Sequence, residues 1–181
     1  MPILAFSGSR KSGKTLASGL VTKLDARFHK RSFADPVREM FSKETGIGLK
    51  TLTDNSAKEE YRERLIAFAE GLRAKDELIF IKALFDSITP DEYIVIDDLR
   101  LLRELEHLVK NKAIIFRVEA DKHVRRKRGW VYFPAIDEHI TETDLDLCQE
   151  TYVKLGGGIV RNNGTIEELE HSLSLILLKF F

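Results

Sequence analysis

The stretch that most limits what this chain can fold into lies at its start. Ile3-Leu4-Ala5-Phe6 is a short apolar run, and it leads straight into Ser7-Gly8-Ser9-Arg10-Lys11-Ser12-Gly13-Lys14-Thr15. Residues 8–15 fit G-x-x-x-x-G-K-[ST], the phosphate-loop pattern. Leu16, Leu20, Val21 and Leu24 then recur at helical spacing, so strand, loop and helix come in the order the pattern demands. The spacing has a chemical basis. Gly8 and Gly13 let the backbone turn tightly, so that the amides of Ser9, Arg10, Lys11, Ser12 and Gly13 can cradle phosphate oxygens. The helix that follows adds its positive N-terminal end. Lys14 is placed to neutralise β- and γ-phosphates, and the Thr15 hydroxyl to sit on Mg²⁺. A chance glycine-rich turn would not need all three elements in register.

Composition narrows the class. With 181 residues the chain is expected to form one domain carrying a mobile lid. Its 29 basic and 29 acidic residues cancel, which argues against a nucleic-acid binder working by bulk charge but leaves room for a local cationic pocket. The one cysteine, Cys148, permits no intrachain disulfide and fits a reducing compartment. No run reaches the roughly 18 apolar residues of a membrane span. The expectation is a cytoplasmic protein with no membrane segment and no targeting leader; monomer and dimer are both compatible with it.

Further along, residues 15–24 are expected as the first helix and 30–33 as a short second strand. Pro36 then opens a helix with Val37, Met40 and Phe41 on one face, ending near Gly46-Ile47-Gly48. Arg38 on that helix is either an acceptor ligand or a solvated residue. Residues 57–76 read as one long helix, with Tyr61, Leu65, Phe68, Ala69 and Leu72 at helical spacing. Lys58, Arg62 and Arg73 fall on a common side of it. They can present positive charge to a phosphate, or simply pair with Glu59, Glu63 and Glu70 on a solvated face. A second helix over 77–88 carries Phe80, Leu84 and Phe85 on its apolar face and Lys82 off it.

Tyr93-Ile94-Val95-Ile96 is the strongest buried strand, and it ends in Asp97-Asp98-Leu99-Arg100. A phosphate-loop fold uses an acid at such a strand end to hold Mg²⁺ or its water. The plainer reading is an N-cap for a helix over 99–109, and with two acids both roles can hold. Arg100 lies where open α/β sheets bind ligand. Residues 112–118 alternate as another strand. The most basic stretch follows, from Asp121 through Arg125-Arg126-Lys127-Arg128 to Trp130. It reads as a lid closing over phosphates, in preference to a nucleic-acid or localisation patch. Residues 133–143 are expected to be irregular. Glu138, His139 and Glu142 lack any structural-metal spacing, and no such metal is expected there. Gly156-Gly157-Gly158-Ile159-Val160 leads to a last strand and Asn162-Asn163-Gly164 to a turn. Thr165 with Glu168 forms a capping box for a final helix packed through Ile166, Leu169, Leu173, Ile176 and Leu177. Alternating strands and helices imply an α/β fold, a parallel sheet with helices on both faces.

These residues together resemble the animal-type phosphomevalonate kinases over nearly the whole chain. The resemblance rests on Phe6-Ser7-Gly8-Ser9-Arg10-Lys11-Ser12-Gly13-Lys14, on Lys58, Tyr61-Arg62 and Arg73-Ala74-Lys75-Asp76, and on Asp98-Leu99-Arg100. Its most specific part is Arg128-Gly129-Trp130-Val131-Tyr132-Phe133-Pro134-Ala135-Ile136-Asp137, followed by Thr141-Glu142 and Leu145-Asp146. The resemblance implies a three-layer phosphate-loop kinase fold, with an acceptor-binding helical region over about 34–88 and a lid over about 121–137. By it, Lys14 and the loop bind ATP, and Lys58, Arg62, Arg73, Lys82 and Arg100 surround a phosphorylated acceptor. Arg128 belongs to the lid. Two departures stand out: Thr15 replaces the family's usual Asp, and Leu101 replaces a frequent second Arg after Arg100. The chain also closes on Lys179-Phe180-Phe181, not on a peroxisomal tripeptide.

A second resemblance, to phage-type deoxynucleoside monophosphate kinases, rests on Ser32-Phe33-Ala34-Asp35-Pro36, Asp98-Leu99-Arg100, His139-Ile140-Thr141-Glu142 and residues 163–169. That reading needs a slot for a base, from Phe68, Tyr61 or Trp130. The 128–137 block is more discriminating and favours the first family. A non-catalytic nucleotide switch is the third reading; the chain lacks an N-K-x-D guanine motif, and a switch would have no use for the cationic pocket. The expectation is therefore ATP- and Mg²⁺-dependent phosphorylation of a small phosphorylated acceptor, most simply mevalonate 5-phosphate. The catalytic set is Lys14, Asp98, Arg100 and Arg128, with Arg125 on ATP and with Thr15, Asp97 and Asp98 on the metal side. No nucleic-acid polymer is expected as partner.

Overall fold

The structure, a computed structural model, describes residues 1–54, 60–145, 152 and 156–181. It divides into two compact units, one of residues 1–31 with 89–181 and one of residues 32–88. The first is built on a five-stranded sheet with strand order β2-β3-β1-β4-β5. The strands are β1 (Ile3–Ser7), β2 (Phe28–Arg31), β3 (Tyr93–Ile96), β4 (Ile114–Glu119) and β5 (Gly158–Arg161). Every pairing is parallel. Each of the five β1 residues is buried, as a central strand covered on both faces must be.

Helix α1 (Lys14–Leu24) and the C-terminal helix, labelled α10 (Ile166–Phe180), cover one face together. Ala17, Leu20 and Val21 of α1 meet Leu169, Leu173 and Leu177 of α10 over Leu4, Phe6, Val95 and Val118. The i, i+4, i+8 spacing of the three leucines puts them on one side of α10. Ile166, expected on that side, is 53% exposed, as are Leu16 and Leu24 in part, because they sit at the helix rims. The capping box forms as its spacing requires: Thr165 Oγ1 accepts the Glu168 amide, and Glu168 Oε2 accepts the Thr165 amide.

The topology fixes where ligand can bind. The chain leaves β1 for β2 on one edge, returns to β3 beside β1, then crosses to β4 on β1's other side. The carboxyl end of β1 is thus the switch point, where open parallel sheets present their crevice. Helix α6 (Leu102–Lys110) joins β3 to β4. Its start differs from expectation. Asp98 does not cap it; Glu104 Oε2 instead accepts the amides of Arg100 at 2.9 Å and Leu101 at 3.0 Å. The helix therefore begins three residues later than the acids suggest, and residues 97–100 carry no regular structure at the sheet's end. After β4 come α7 (Lys122–Lys127) and two single turns, α8 (Pro134–Asp137) and α9 (Ile140–Thr143), where an irregular segment was expected.

The second unit is helical: α2 (Ala34–Thr45), α3 (Leu49–Thr53), α4 (Arg62–Arg73) and α5 (Ile79–Asp86). Val37, Ala69 and Phe80 form its buried centre, with Met40, Leu65, Phe68 and Leu72 packed around them. Gly46 ends α2 in the left-handed conformation. Strand β2 stops at Arg31, short of the expected Phe33, because Ser32 Oγ accepts the Ala34 amide and the chain turns into α2 there. The first part of the long helix expected over 57–76 falls partly outside the described residues, as do Lys58, Asp146 and Cys148. No helix among the described residues is long and apolar enough to cross a membrane.

Candidate active site

The loop after β1 wraps the first turn of α1. Gly8 has φ 137° and Gly13 φ 106°, both in the region that favours glycine. A Cβ on Gly8 would lie 2.2 Å from the Val118 carbonyl oxygen, and one on Gly13 would lie 2.1 Å from Asn162 Nδ2. The loop thus needs glycine at both positions, for conformation and for space. Ser12 Oγ is buried beneath it, with no hydrogen-bond partner among the described residues. Beside the loop on the β4 side lies a polar cavity of about 190 Å³, lined by Ser9, Ser12, Arg117, Glu119 and Asp121 among others.

Lys14 is 8% exposed and folds back along its own loop, donating to the carbonyl of Gly8 and, at 3.1 Å, to that of Ser9. Its pKa is lowered to about 8, chiefly by burial and next by the charge of Arg100. Glu142, Asp97 and Asp98 act the other way. One cation and three carboxylates therefore lie within electrostatic reach of the loop lysine. Asp97 is buried at the end of β3, where its Oδ2 accepts from Ser18 Oγ at 3.2 Å and pairs with Lys30 Nζ at 2.7 Å. Asp98 is half-buried, and Thr15 is exposed on the first turn of α1.

The segment after β4 lies against the loop. Arg125 and Arg128, three residues apart, turn inward, while Arg126 and Lys127 face solvent. Arg125 donates to the Arg10 carbonyl at 3.3 Å and stacks 4.2 Å over the Trp130 ring. Burial lowers its pKa, against the pull of Asp137 and Glu142. Arg128 donates to the Ser12 carbonyl at 3.3 Å, to the Asn162 carbonyl at 3.0 Å and to Asn162 Oδ1 at 3.2 Å. Asn162 Nδ2 in turn donates to the Ser12 carbonyl at 2.8 Å. Asp137 accepts from Trp130 Nε1 at 2.9 Å, the Phe133 amide at 2.8 Å and Arg10 Nη1 at 3.1 Å. Burial pushes its carboxyl up, but those hydrogen bonds and the charges of Arg10 and Arg125 outweigh burial and hold it below the usual carboxylate range.

Thus the phosphate loop, Lys14, Asp97, Asp98, Arg100, Arg125 and Arg128 come together on the sheet unit. The helical unit carries the other expected acceptor ligands. Arg62 and Arg73 are the first and last residues of α4. Arg73 lies 5.1 Å over the Phe80 ring, Arg38 pairs with Asp35 at 2.9 Å, and Lys82 pairs with Asp76 at 2.7 Å. Leu101, the departure beside Arg100, is buried at the start of α6. Four residues escaped the sequence reading. Lys30 and Asn162 look like an ordinary strand residue and an ordinary turn residue. Asp137 stood in a quoted block without a role, and Glu142 stood in quoted blocks and as a metal ligand set aside. Among acids here, Glu142 is the one sharing both Arg10 and Arg100.

Known proteins share this architecture. A shikimate kinase from Acinetobacter baumannii superposes with a TM-score of 0.51 at 13% identity, covering 99% of this chain and 94% of that one. TT1252 from Thermus thermophilus superposes with a TM-score of 0.53 at 18% identity, covering 99% and 98%. Identities so low speak to the fold alone. A curated phosphomevalonate kinase from Drosophila melanogaster is 29% identical over 160 residues, which is 81% of this chain and 82% of that protein. The family model for phosphomevalonate kinase matches residues 6–113, from the phosphate loop through β3 and α6. More than half of the sequence, including the loop and the acidic strand end, follows that pattern, and the chain belongs to the phosphomevalonate kinase family.

Proposed function

We propose that the protein transfers the γ-phosphoryl group of ATP to the phosphate of mevalonate 5-phosphate, giving mevalonate 5-diphosphate and ADP. The observation that carries this is the link between Arg100 and the phosphate loop. Arg100 pairs with Glu142, whose other oxygen accepts the Arg10 loop amide, so a nucleotide-side group and an acceptor-side cation serve one site. That arrangement suits two anions brought together. The acceptor oxygen is already ionised near neutral pH, so no general base is needed. Catalysis is positioning plus charge neutralisation.

In this reading, the loop amides and Lys14 hold the ATP phosphates. Arg100 holds the acceptor phosphate, with Arg38, Lys58, Arg62, Arg73 and Lys82 completing its surroundings. Arg125 covers the nucleotide side. Arg128 acts with Asn162 by bracing the loop carbonyl of Ser12. The positive-φ glycines let the loop turn tightly, and the buried Ser12 hydroxyl has no hydrogen-bond partner among the described residues, as fits a loop made for an anion. The Thr15 hydroxyl and the Asp97 and Asp98 carboxylates are all oxygen donors, a set that suits Mg²⁺ with retained waters. Bound there, Mg²⁺ would neutralise phosphate charge. The single cysteine favours a cytoplasmic setting.

A coupled ADP-release assay with Mg-ATP tests the reading, comparing mevalonate 5-phosphate with a panel of deoxynucleoside monophosphates. Turnover is expected on mevalonate 5-phosphate and is expected to vanish in a folded Lys14→Met variant. Turnover on nucleotides alone would overturn the acceptor assignment, and an active, folded Lys14→Met protein would overturn the mechanism.

A further inference from the structure

Helix α9 sends one carboxylate back to the phosphate loop. Glu142 Oε2 accepts the Arg10 backbone amide at 3.0 Å, and its Oε1 pairs with the Arg100 guanidinium. The Glu142 side chain is only 5% exposed. A carboxylate taken that far from water is stable only when charged or polar donors surround it, and these two donors have something in common. The Arg10 amide belongs to the loop whose amides are built for phosphate oxygens. Arg100 is the cation assigned above to the acceptor phosphate. A carboxylate and a phosphate each offer a pair of anionic oxygens that a guanidinium and an amide can grasp. Glu142 therefore occupies donors from both halves of the reaction.

Two anions cannot share those donors comfortably. Like charges crowded onto the same donors, away from water, repel one another. We propose that Glu142 is an internal anion standing at the phosphoryl-transfer position, exchanged for substrate phosphate in each catalytic cycle. The inference rests on the kinase reading above and names a device within the same site. Displacing Glu142 frees the Arg10 amide and Arg100 together. Mg-ATP binding therefore prepares the acceptor's cation, and the acceptor in turn favours Mg-ATP by the same factor. Glu142 does not act on the reacting atoms. It sets how readily they gather.

The test is calorimetric titration of the full chain with Mg-ATP alone, for the wild type, Glu142→Gln and Glu142→Asp. The first substitution removes the charge and keeps the shape; the second keeps the charge and shortens the reach. Both are expected to bind Mg-ATP roughly fivefold or more tightly than the wild type, the scale of a typical coupling. Having two variants guards against one that fails to fold. Unchanged or weaker binding in the folded variants, with a fall in kcat alone, would make Glu142 a positioning residue for Arg100 and overturn the inference. A wild-type protein that binds no Mg-ATP would overturn the kinase reading and this inference with it.

Discussion

Lys14 shows how much a single residue's surroundings can say. Its side chain is buried and its folded-state pKa is about 8, against 10.5 for an unperturbed lysine. Below pH 8 both folded and unfolded chains hold the proton, and the folded state bears the full cost of a buried charge. Between pH 8 and 10.5 the unfolded chain holds the proton and the folded one does not, so stability rises with pH across that window. Subtracting the profile of Lys14→Met isolates the effect, which should grow by something on the order of 3 kcal/mol. Denaturant titrations at several pH values check it, and a flat difference would contradict the burial of the ammonium. ATP requires the charged form, so nucleotide affinity should weaken above pH 8 and binding there should take up a proton. The loop that contains Lys14 was legible in the sequence because its chemistry is local: eight consecutive residues carry it. Asn162 and Glu142 were not legible. Their partners lie 150 and 132 positions away, and no local pattern distinguishes them.

At the scale of elements, the basic segment after β4 divides by direction. Its inward arginines bond loop carbonyls, and Asp137 ties Trp130 and Phe133 to Arg10. Three donors converge on one carboxylate, so Asp137→Asn turns an amide toward groups that themselves donate. A hydrogen bond to a charged group is worth about 1.5–3 kcal/mol, and a loss of that size in thermal stability is expected. Trp130 is the only tryptophan, so its emission should move toward that of a solvated indole in the same variant. Unaltered emission would show that the segment is held by other contacts. The sequence showed the positive charge here but not its use, because a run of arginines does not reveal which of them point inward. The inward turn of Arg125 on α7 and of Arg128 just after it is a property of the folded helix and its cap. Asp98 misled for a related reason. An acid before a helical pattern is a good cap, but Glu104 reached the same amides first.

At the scale of the molecule, strand order and the pairing of α1 with α10 decide where stability resides. Leu173 is fully buried between those helices, and Leu178 on the opposite side of α10 is 84% exposed. Leu173→Ala should cost about 2–5 kcal/mol, whereas Leu178→Ala should stay within about 0.5 kcal/mol. Paired urea denaturation curves distinguish them, and equal losses would contradict the packing. The α/β class was readable from alternating periodicity, since buried parallel strands are short apolar runs and the covering helices repeat at 3.6. Of the two unit boundaries, the one at residues 88–89 carries a local cue in Pro90, whereas Arg31-Ser32 at the other carries none.

The brace on the phosphate loop has a consequence for how the protein is made. The loop, at 8–15, is synthesised well before the side chain that supports its Ser12 carbonyl, which lies 150 positions later at Asn162. A chain still emerging from the ribosome carries the whole nucleotide motif without its support. The strand β5 and the helix α10, which deliver and secure that support, follow the other four strands. Nascent chains should therefore remain blind to ATP until residue 162 and the elements around it have emerged, and nucleotide capture would mark a late step of folding, not its beginning.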